Sequence, residues 1–502
     1  MTHSFLFGVV PVWVTNWLTP LWLMGIGTLV GLLALLICWA ISFVIFRRMA
    51  KEIPGILSEG IMPAVLTCAI VMSIFGLVSS FAVKQPLEVL KSTVRLHTGG
   101  TRIFNETIPP SSGDERRRVV PVDFRGEELV RFEVTTTEFI LFCDGENDEV
   151  AYRPAFEIDP VEGFEFRRTK TGGRPFAGRA VPNFYIANLG NNPADVEITV
   201  ETAPEFPETS VVIISALGVF GLISLYVLQM IFSPKTAAVA LSTVKSELAQ
   251  PLFFILAIVG AFLLILFMFI PYNTFGEDIK MLKDSGLTLI MVIGIIQGVW
   301  AASNSVADEI EGRTALTVLS KPLSRLQFLF GKFTGIIWIV SLMFLLLGLV
   351  FVFVVGYKPI YDAREMASEL NDWRIVHFEV YRVVPGLVLA FFETAVLAAI
   401  GVAVSTRLPL LANFVICFSI YVLGHLTPLI VQAKIDFAPV VFIGNLIATV
   451  LPVLDHFNIQ AAVAAGVEVP FSYLGVAFLY AVLYSSIALL LALILFEDRD
   501  LA

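Results

Sequence analysis

Residues 305–355 read SVADEIEGRTALTVLSKPLSRLQFLFGKFTGIIWIVSLMFLLLGLVFVFVV. From Phe328 onward the stretch is apolar for longer than the ~20 residues that carry a helix across a bilayer. The part before it is the most patterned polar segment beside any such run. Between Ser305 and about Leu319, Val306, Ile310, Leu316 and Leu319 recur at helical spacing among acids. That predicts a short helix with one apolar and one charged face. Lys321-Pro322 breaks it, because proline disfavours helical geometry in the residue before it. Ser324 and Gln327 have capping-box spacing and predict the start of the next helix. On spacing alone, an ordinary inter-helix loop with solvated charges is the other reading.

Outward from this stretch the apolar signal repeats. The chain has 502 residues, 57% hydrophobic and only 15% charged, with a mean hydropathy of +0.83. A soluble chain of this length does not have that balance. Nine spans are predicted, at about 21–46, 62–83, 211–232, 251–270, 287–303, 328–355, 383–404, 410–431 and 471–496. The expectation is a polytopic α-helical membrane protein of about nine transmembrane helices. Residues 440–453 are shorter and are interrupted by Asn445 and Pro452, so they read as a re-entrant or interfacial segment. Residues 233–250 carry Lys235, Lys245 and Glu247 among small apolar residues and read either as an interfacial helix or as a plain linker. Trp13 and Trp17 precede the first span, as aromatics at a membrane interface do. The N-terminus has no short basic region or small-residue cleavage site, so no cleaved leader is expected.

Charge is concentrated in one place. Residues 84–210 hold 15 Lys/Arg and 22 Asp/Glu out of 33 and 43 in the whole chain, which marks a soluble domain inserted between spans. Val130, Phe132 and Val134 alternate with Arg131 and Glu133, and Val196, Ile198 and Val200 alternate with Glu197, Thr199 and Glu201. Period two is the strand signal. Asp144-Gly145, Gly172-Gly173 and Gly190-Asn191-Asn192-Pro193 supply turns. The inserted domain therefore reads as an all-β sandwich. The acidic balance and the lack of a basic tract argue against nucleic-acid binding. Asn105-Glu106-Thr107 fits a glycosylation sequon, a pattern that also arises by chance.

Orientation follows from the basic residues. Arg47, Arg48 and Lys51 close the first span and place its end in the cytoplasm, which puts 84–210 outside and the C-terminus inside. The short loops on the cytoplasmic side would hold 11 Lys/Arg and those on the outer side 7. The predicted organisation is 1–83 with two spans, 84–210 as the extracytoplasmic domain, and 211–502 as a third span followed by a six-span core. The expected location is the cytoplasmic membrane.

Chemistry-bearing groups are sparse. Cys38, Cys68 and Cys417 lie in apolar runs, Cys143 stands alone in the inserted domain, and the five histidines are scattered. No cofactor or metal site is expected. Gly331-Lys332 has Leu326 where a phosphate-binding loop needs its first glycine, so the chain does not bind ATP by that route. Glu393 lies mid-span, where a carboxylate is costly. It reads as a pathway residue or as an acid in a polar seam between helices. His425 is in the following span. Asp455 and His456 read as solvated residues near the outer interface.

The segment Glu309, Glu311-Gly312, Thr314, Leu319-Ser320-Lys321-Pro322, Ser324-Arg325, Gly331-Lys332 resembles, in order and spacing, the permease subunits of type-2 ABC transporters, the exporter class. Residues 279–287 resemble the segment before the second span of such a core, and the polar end of the chain is similar too. The resemblance covers about 233–502 and leaves out the first two spans and the β domain. It implies two half-transporters, with a second permease copy as partner and two copies of a cytosolic ABC ATPase subunit. It also implies a coupling helix that docks on the ATPase. That role would fall on Glu309, Glu311, Gly312, Arg313 and Thr314, with Lys321, Pro322 and Arg325 shaping the return. The chain itself is then expected to be no enzyme. The β domain would receive substrate or an extracytoplasmic partner. Two other functions fit the residues: an ion-coupled carrier using Glu393 and His425, and a non-transporting scaffold or sensor whose β domain binds a ligand.

Overall fold

The structure, a computed structural model, describes residues 10–110, 117–126, 128–143, 156–167, 176, 179–270, 272, 277–307, 323–368, 370, 372–432, 442, 444, 446 and 449–497. The chain divides into two compact units: Met1–Val83 together with Ile214–Ala502, and Lys84–Ile213.

The larger unit is built of helices: α1 (Val12–Ile45), α2 (Arg47–Leu57) and α3 (Met62–Ser79), then, after α4 (Pro86–Val94) of the inserted unit, α5 (Ser210–Phe232), α6 (Pro234–Ala249), α7 (Pro251–Phe269), α8 (Asp278–Ala302), α9 (Arg325–Glu365), α10 (Trp373–Ser405), α11 (Leu410–Gln432), the short α12 (Gln460–Ala464) and α13 (Phe471–Glu497). Among the described residues eight helices, α1, α3, α5, α7, α8, α9, α10 and α13, are long and apolar enough to cross a membrane. The apolar stretch described in α11, Leu410–Leu426, is shorter. This is the architecture of a polytopic helical membrane protein.

Several helices outrun the apolar runs that announce them. α1 begins at Val12 and carries Pro20 in its interior. α8 begins at Asp278, so residues 279–287 are its first turns and do not precede it. α10 begins at Trp373. Hydropathy registers the ~30 Å of hydrocarbon, whereas the backbone hydrogen bonds that make a helix continue beyond it. At 41 residues, α9 is about 61 Å long. The segment 233–250 is a helix, and its buried face of Thr236, Val239, Ala240 and Thr243 packs on α9. A Cβ at Gly331 would stand 2.9 Å from the Thr236 carbonyl oxygen, and one at Gly335 would stand 2.8 Å from that of Ala240. Only glycine lets the two backbones approach so closely. Gly25 and Gly76 do the same for α1 and α3, where a Cβ on the former would lie 2.7 Å from the Cα of the latter.

Contacts define two ends of this unit. At one end Lys245 pairs with Glu59 at 2.8 Å, Trp39 donates to the Ala50 carbonyl, and Arg325 meets the last turn of α13. At the other, Asn16 donates to the Leu370 carbonyl, Arg364 lies over the Trp13 ring and Thr288 donates to Gln460.

The inserted unit has two four-stranded antiparallel sheets. From β1 (Gly100–Ile108), β2 (Arg118–Arg125), β3 (Leu129–Thr136), β4 (Ile140–Cys143), β5 (Phe156–Ile158), β6 (Phe164–Arg167), β7 (Ala180–Asn188) and β8 (Ala194–Thr202) they assemble in the orders β1-β8-β3-β6 and β2-β7-β4-β5. The two runs that alternate most clearly in the sequence fall in β3 and β8, which pair with each other. Their apolar residues point one way, and Phe132, Val134, Ile198 and Val200 are buried with Phe142, Phe184 and Ile186 of the other sheet. Phe132 and Phe184 pack with centroids 5.2 Å apart, and Phe142 and Phe184 with centroids 4.7 Å apart. Two sheets joined by interdigitated inner faces make a sandwich. Asn188 ties the β7–β8 turn, accepting from Gly190 N and donating to the Asn192 carbonyl. The turn formers at 144–145 and 172–173 lie outside the described residues.

Candidate functional site

Glu309, Glu311, Gly312, Arg313, Thr314, Lys321 and Pro322 lie outside the described residues. Their flanks are described. α8 ends at Ala302, and Ser303–Ala307 continue as one wider π-helical turn, a distortion that concentrates at functional sites. Polar side chains hold this turn from two sides. Gln250, extended because Pro251 follows it, accepts from Trp300 Nε1 at 2.7 Å and from Asn304 Nδ2 at 3.0 Å. Asn413 Nδ2 donates to Ser303 Oγ at 2.8 Å and to the Gly401 carbonyl at 3.0 Å. The turn is thereby joined to the α6–α7 corner and to α10 and α11.

On the far flank the predicted capping box is present. Ser324 Oγ accepts from Gln327 N, and Gln327 Oε1 accepts from Ser324 N, each at 3.1 Å, which satisfies two helix-end donors. Arg325 then crosses to α13. It donates to the carbonyl oxygens of Phe496 and Glu497 at 3.0 and 2.9 Å, and its guanidinium lies over the Phe496 ring. A cation on carbonyls that a helix end leaves unpaired is favourable both as a hydrogen bond and against the helix dipole.

Glu393 of α10 is 1% exposed, and His425 of α11 faces it, Nε2 to Oε1 at 3.5 Å. The structure thus brings together the two groups that the sequence places in neighbouring spans. Asp455 and His456 are exposed in the 3-10 turn Leu454–Phe457, and Leu454 packs against Gly424 beside His425. Of 440–453, only 442, 444, 446 and 449–453 are described. The backbone from Val450 to His456 is held by one face of α13: Tyr473 donates to the His456 carbonyl, Tyr484 donates to the Val450 carbonyl, and Tyr480 accepts from Val453 N. Spacings of seven and four residues put the three phenols on one stripe of the helix. Irregular backbone among apolar helices needs such internal partners.

Sequence reasoning missed a set of charges at the end opposite Arg325. Lys283 and Lys358, counted there as outer-loop residues, lie inside α8 and α9 and are each 1% exposed. Lys283 pairs with Glu379 of α10. Lys358 pairs with Asp362 at 2.8 Å and Asp278 at 3.8 Å, and donates to the Met268 carbonyl. Lys332, counted as an inner-loop residue, is likewise buried in α9. The available signal was helical spacing: Asp278 and Lys283, or Lys358 and Asp362, continue the period of the adjoining apolar run.

Among the described residues no group of three His, Cys, Asp or Glu is placed to hold a metal ion. No protein-family model and no curated protein matches the chain.

Proposed function

We propose that the chain is the permease subunit of an ATP-driven, exporter-class ABC transporter. In this reading it moves substrate across the cytoplasmic membrane with energy from a separate cytosolic ATPase. The carrying observation is the patterned segment 305–332, which leaves α8 and rejoins at the capping box of α9. A helix docked there would be pushed by the ATPase. Its flanks are joined through Ser303, Asn304 and Arg325 to α7, α10, α11 and α13, so a displacement has side chains through which to reach several spans. In this reading the β-sandwich lies outside the cytosol and takes substrate or an outer partner. The charge asymmetry supports this orientation. With buried Lys332, Lys283 and Lys358 removed from the loop counts, 10 Lys/Arg remain on the proposed cytoplasmic side and 5 on the outer side, the sense of the positive-inside rule.

The test is charge reversal at Glu309 and Glu311. The double variant is expected to retain membrane insertion and to lose ATPase co-purification. Retained binding would remove the coupling assignment.

A further inference from the structure

Neither carboxyl oxygen of Glu393 receives a hydrogen bond from any described residue, although the side chain is buried in the middle of α10. The group beside it is the His425 imidazole. The other ring nitrogen fixes the chemistry. His425 Nδ1 lies 3.1 Å from the Tyr421 carbonyl oxygen, and a carbonyl can only accept, so Nδ1 carries a proton. A neutral ring in this position turns the bare lone pair of Nε2 toward Glu393. Against a carboxylate that arrangement is repulsive.

We propose that Glu393 and His425 form a proton-binding site at membrane depth, holding one proton between α10 and α11. With one proton the pair is neutral as a whole, either as a carboxylic acid donating to Nε2 or as a carboxylate beside an imidazolium. With none, a buried anion faces a lone pair. With two, an imidazolium has no counter-charge. Each of the last two states leaves a net charge away from water.

The surroundings favour this reading. Around the pair, α11 contributes Tyr421, whose ring is 4.7 Å from that of His425. α13 contributes the phenols of Tyr480 and Tyr484 to the same apolar cluster. The turn after α11 contributes His456 and Asp455, both exposed. On α8 and α9, Gly294 and Phe344 mark the level of Thr394. From there Lys283 lies 11 residues away and Lys358 14, about 17 and 21 Å of helix. Lys332 lies 12 residues the other way, about 18 Å. Those cations stand at the ends of the bundle, so the proton is the site's own compensation. The proposal needs no ATPase and stands or falls apart from the transporter reading.

The experiment is thermal unfolding of the purified full-length protein in detergent, for wild type, E393Q, H425Q and E393Q/H425Q, from about pH 5 to about pH 8. In H425Q, Glu393 ionises without a cation beside it, so the midpoint falls relative to wild type as pH rises. In E393Q, an amide that does not titrate faces Nε2, so the midpoint stays near wild type at pH 8 and falls as pH drops and the ring charges. Slopes relative to wild type that are opposite in sign, each amounting to about 2 °C or more, are the expected result, and the double variant, which has neither titrating group, should show neither trend. Single variants with slopes parallel to wild type would overturn the proposal. If H425Q does not fold, the E393Q profile decides, and a profile parallel to wild type overturns it.

Discussion

The guanidinium of Arg325 donates to the carbonyl oxygen of Phe496 at 3.0 Å and lies 5.4 Å from the centre of its ring. The first residue of α9 thus closes the end of α13, which comes 171 residues later in the chain. Phe328 stacks on the same ring, so the start of α9 and the end of α13 behave as one anchor.

R325A is therefore expected to lower stability by about 1 kcal/mol, through loss of helix-end hydrogen bonds and a favourable charge–dipole contact. R325K keeps the charge and part of the effect. Thermal unfolding of the purified protein measures both. An alanine variant as stable as wild type would mean that the contact contributes nothing.

The sandwich gives a second prediction. Phe184 is fully buried and touches Phe132, Phe142, Phe124 and Phe176 across both sheets. Residues 84–213 have a core of their own, so they are expected to fold when expressed alone and to unfold cooperatively. In that fragment F184A should cost about 3–5 kcal/mol, read from denaturant unfolding. A cost under 1 kcal/mol would contradict the packing.

Lys283, 1% exposed, pairs across α8 and α10 with Glu379, whose side chain is 20% exposed. Removal of one charge strands the other, so K283M should destabilise the protein by about 3–5 kcal/mol. K283M/E379L, which strands neither, should recover most of that. Equal losses in the single and double variants would show that the two charges do not compensate each other.

Much of this was legible from residue pattern. Apolar runs located the membrane helices, Ser324 and Gln327 marked the start of α9, and the alternation in β3 and β8 marked their buried faces. These signals are local, because period and capping are set within a few residues. Helix ends were less legible. The charged turn 278–286 looks like a loop when read by hydropathy, yet its backbone continues α8 and its lysine finds a carboxylate on another helix. The approach of His425 to Glu393 rests on α10–α11 packing, which no spacing within either span encodes. Gln250 and Asn413 carry no sequence signal of their own, because their role depends on where α8 ends.

The tyrosine face of α13 gives a further prediction. Tyr484 donates to the Val450 carbonyl at 2.9 Å, and Tyr480 accepts from Val453 N at 2.9 Å. Y484F should cost about 1 kcal/mol and raise backbone hydrogen exchange across 450–453, leaving exchange in α9 unchanged. Unaltered exchange in that segment would show that the phenol does not hold it.

The central claim is that this chain passes substrate through the membrane while a soluble ATPase does the work. The measurement is a mild-detergent pull-down of the tagged full-length protein from its own cells, with and without nucleotide, and with the bound proteins identified and quantified. A soluble ATPase carrying a phosphate-binding loop, present in about equal amount with wild type and lost on charge reversal at Glu309 and Glu311, is the predicted result. Absence of any such ATPase under both conditions would contradict the account.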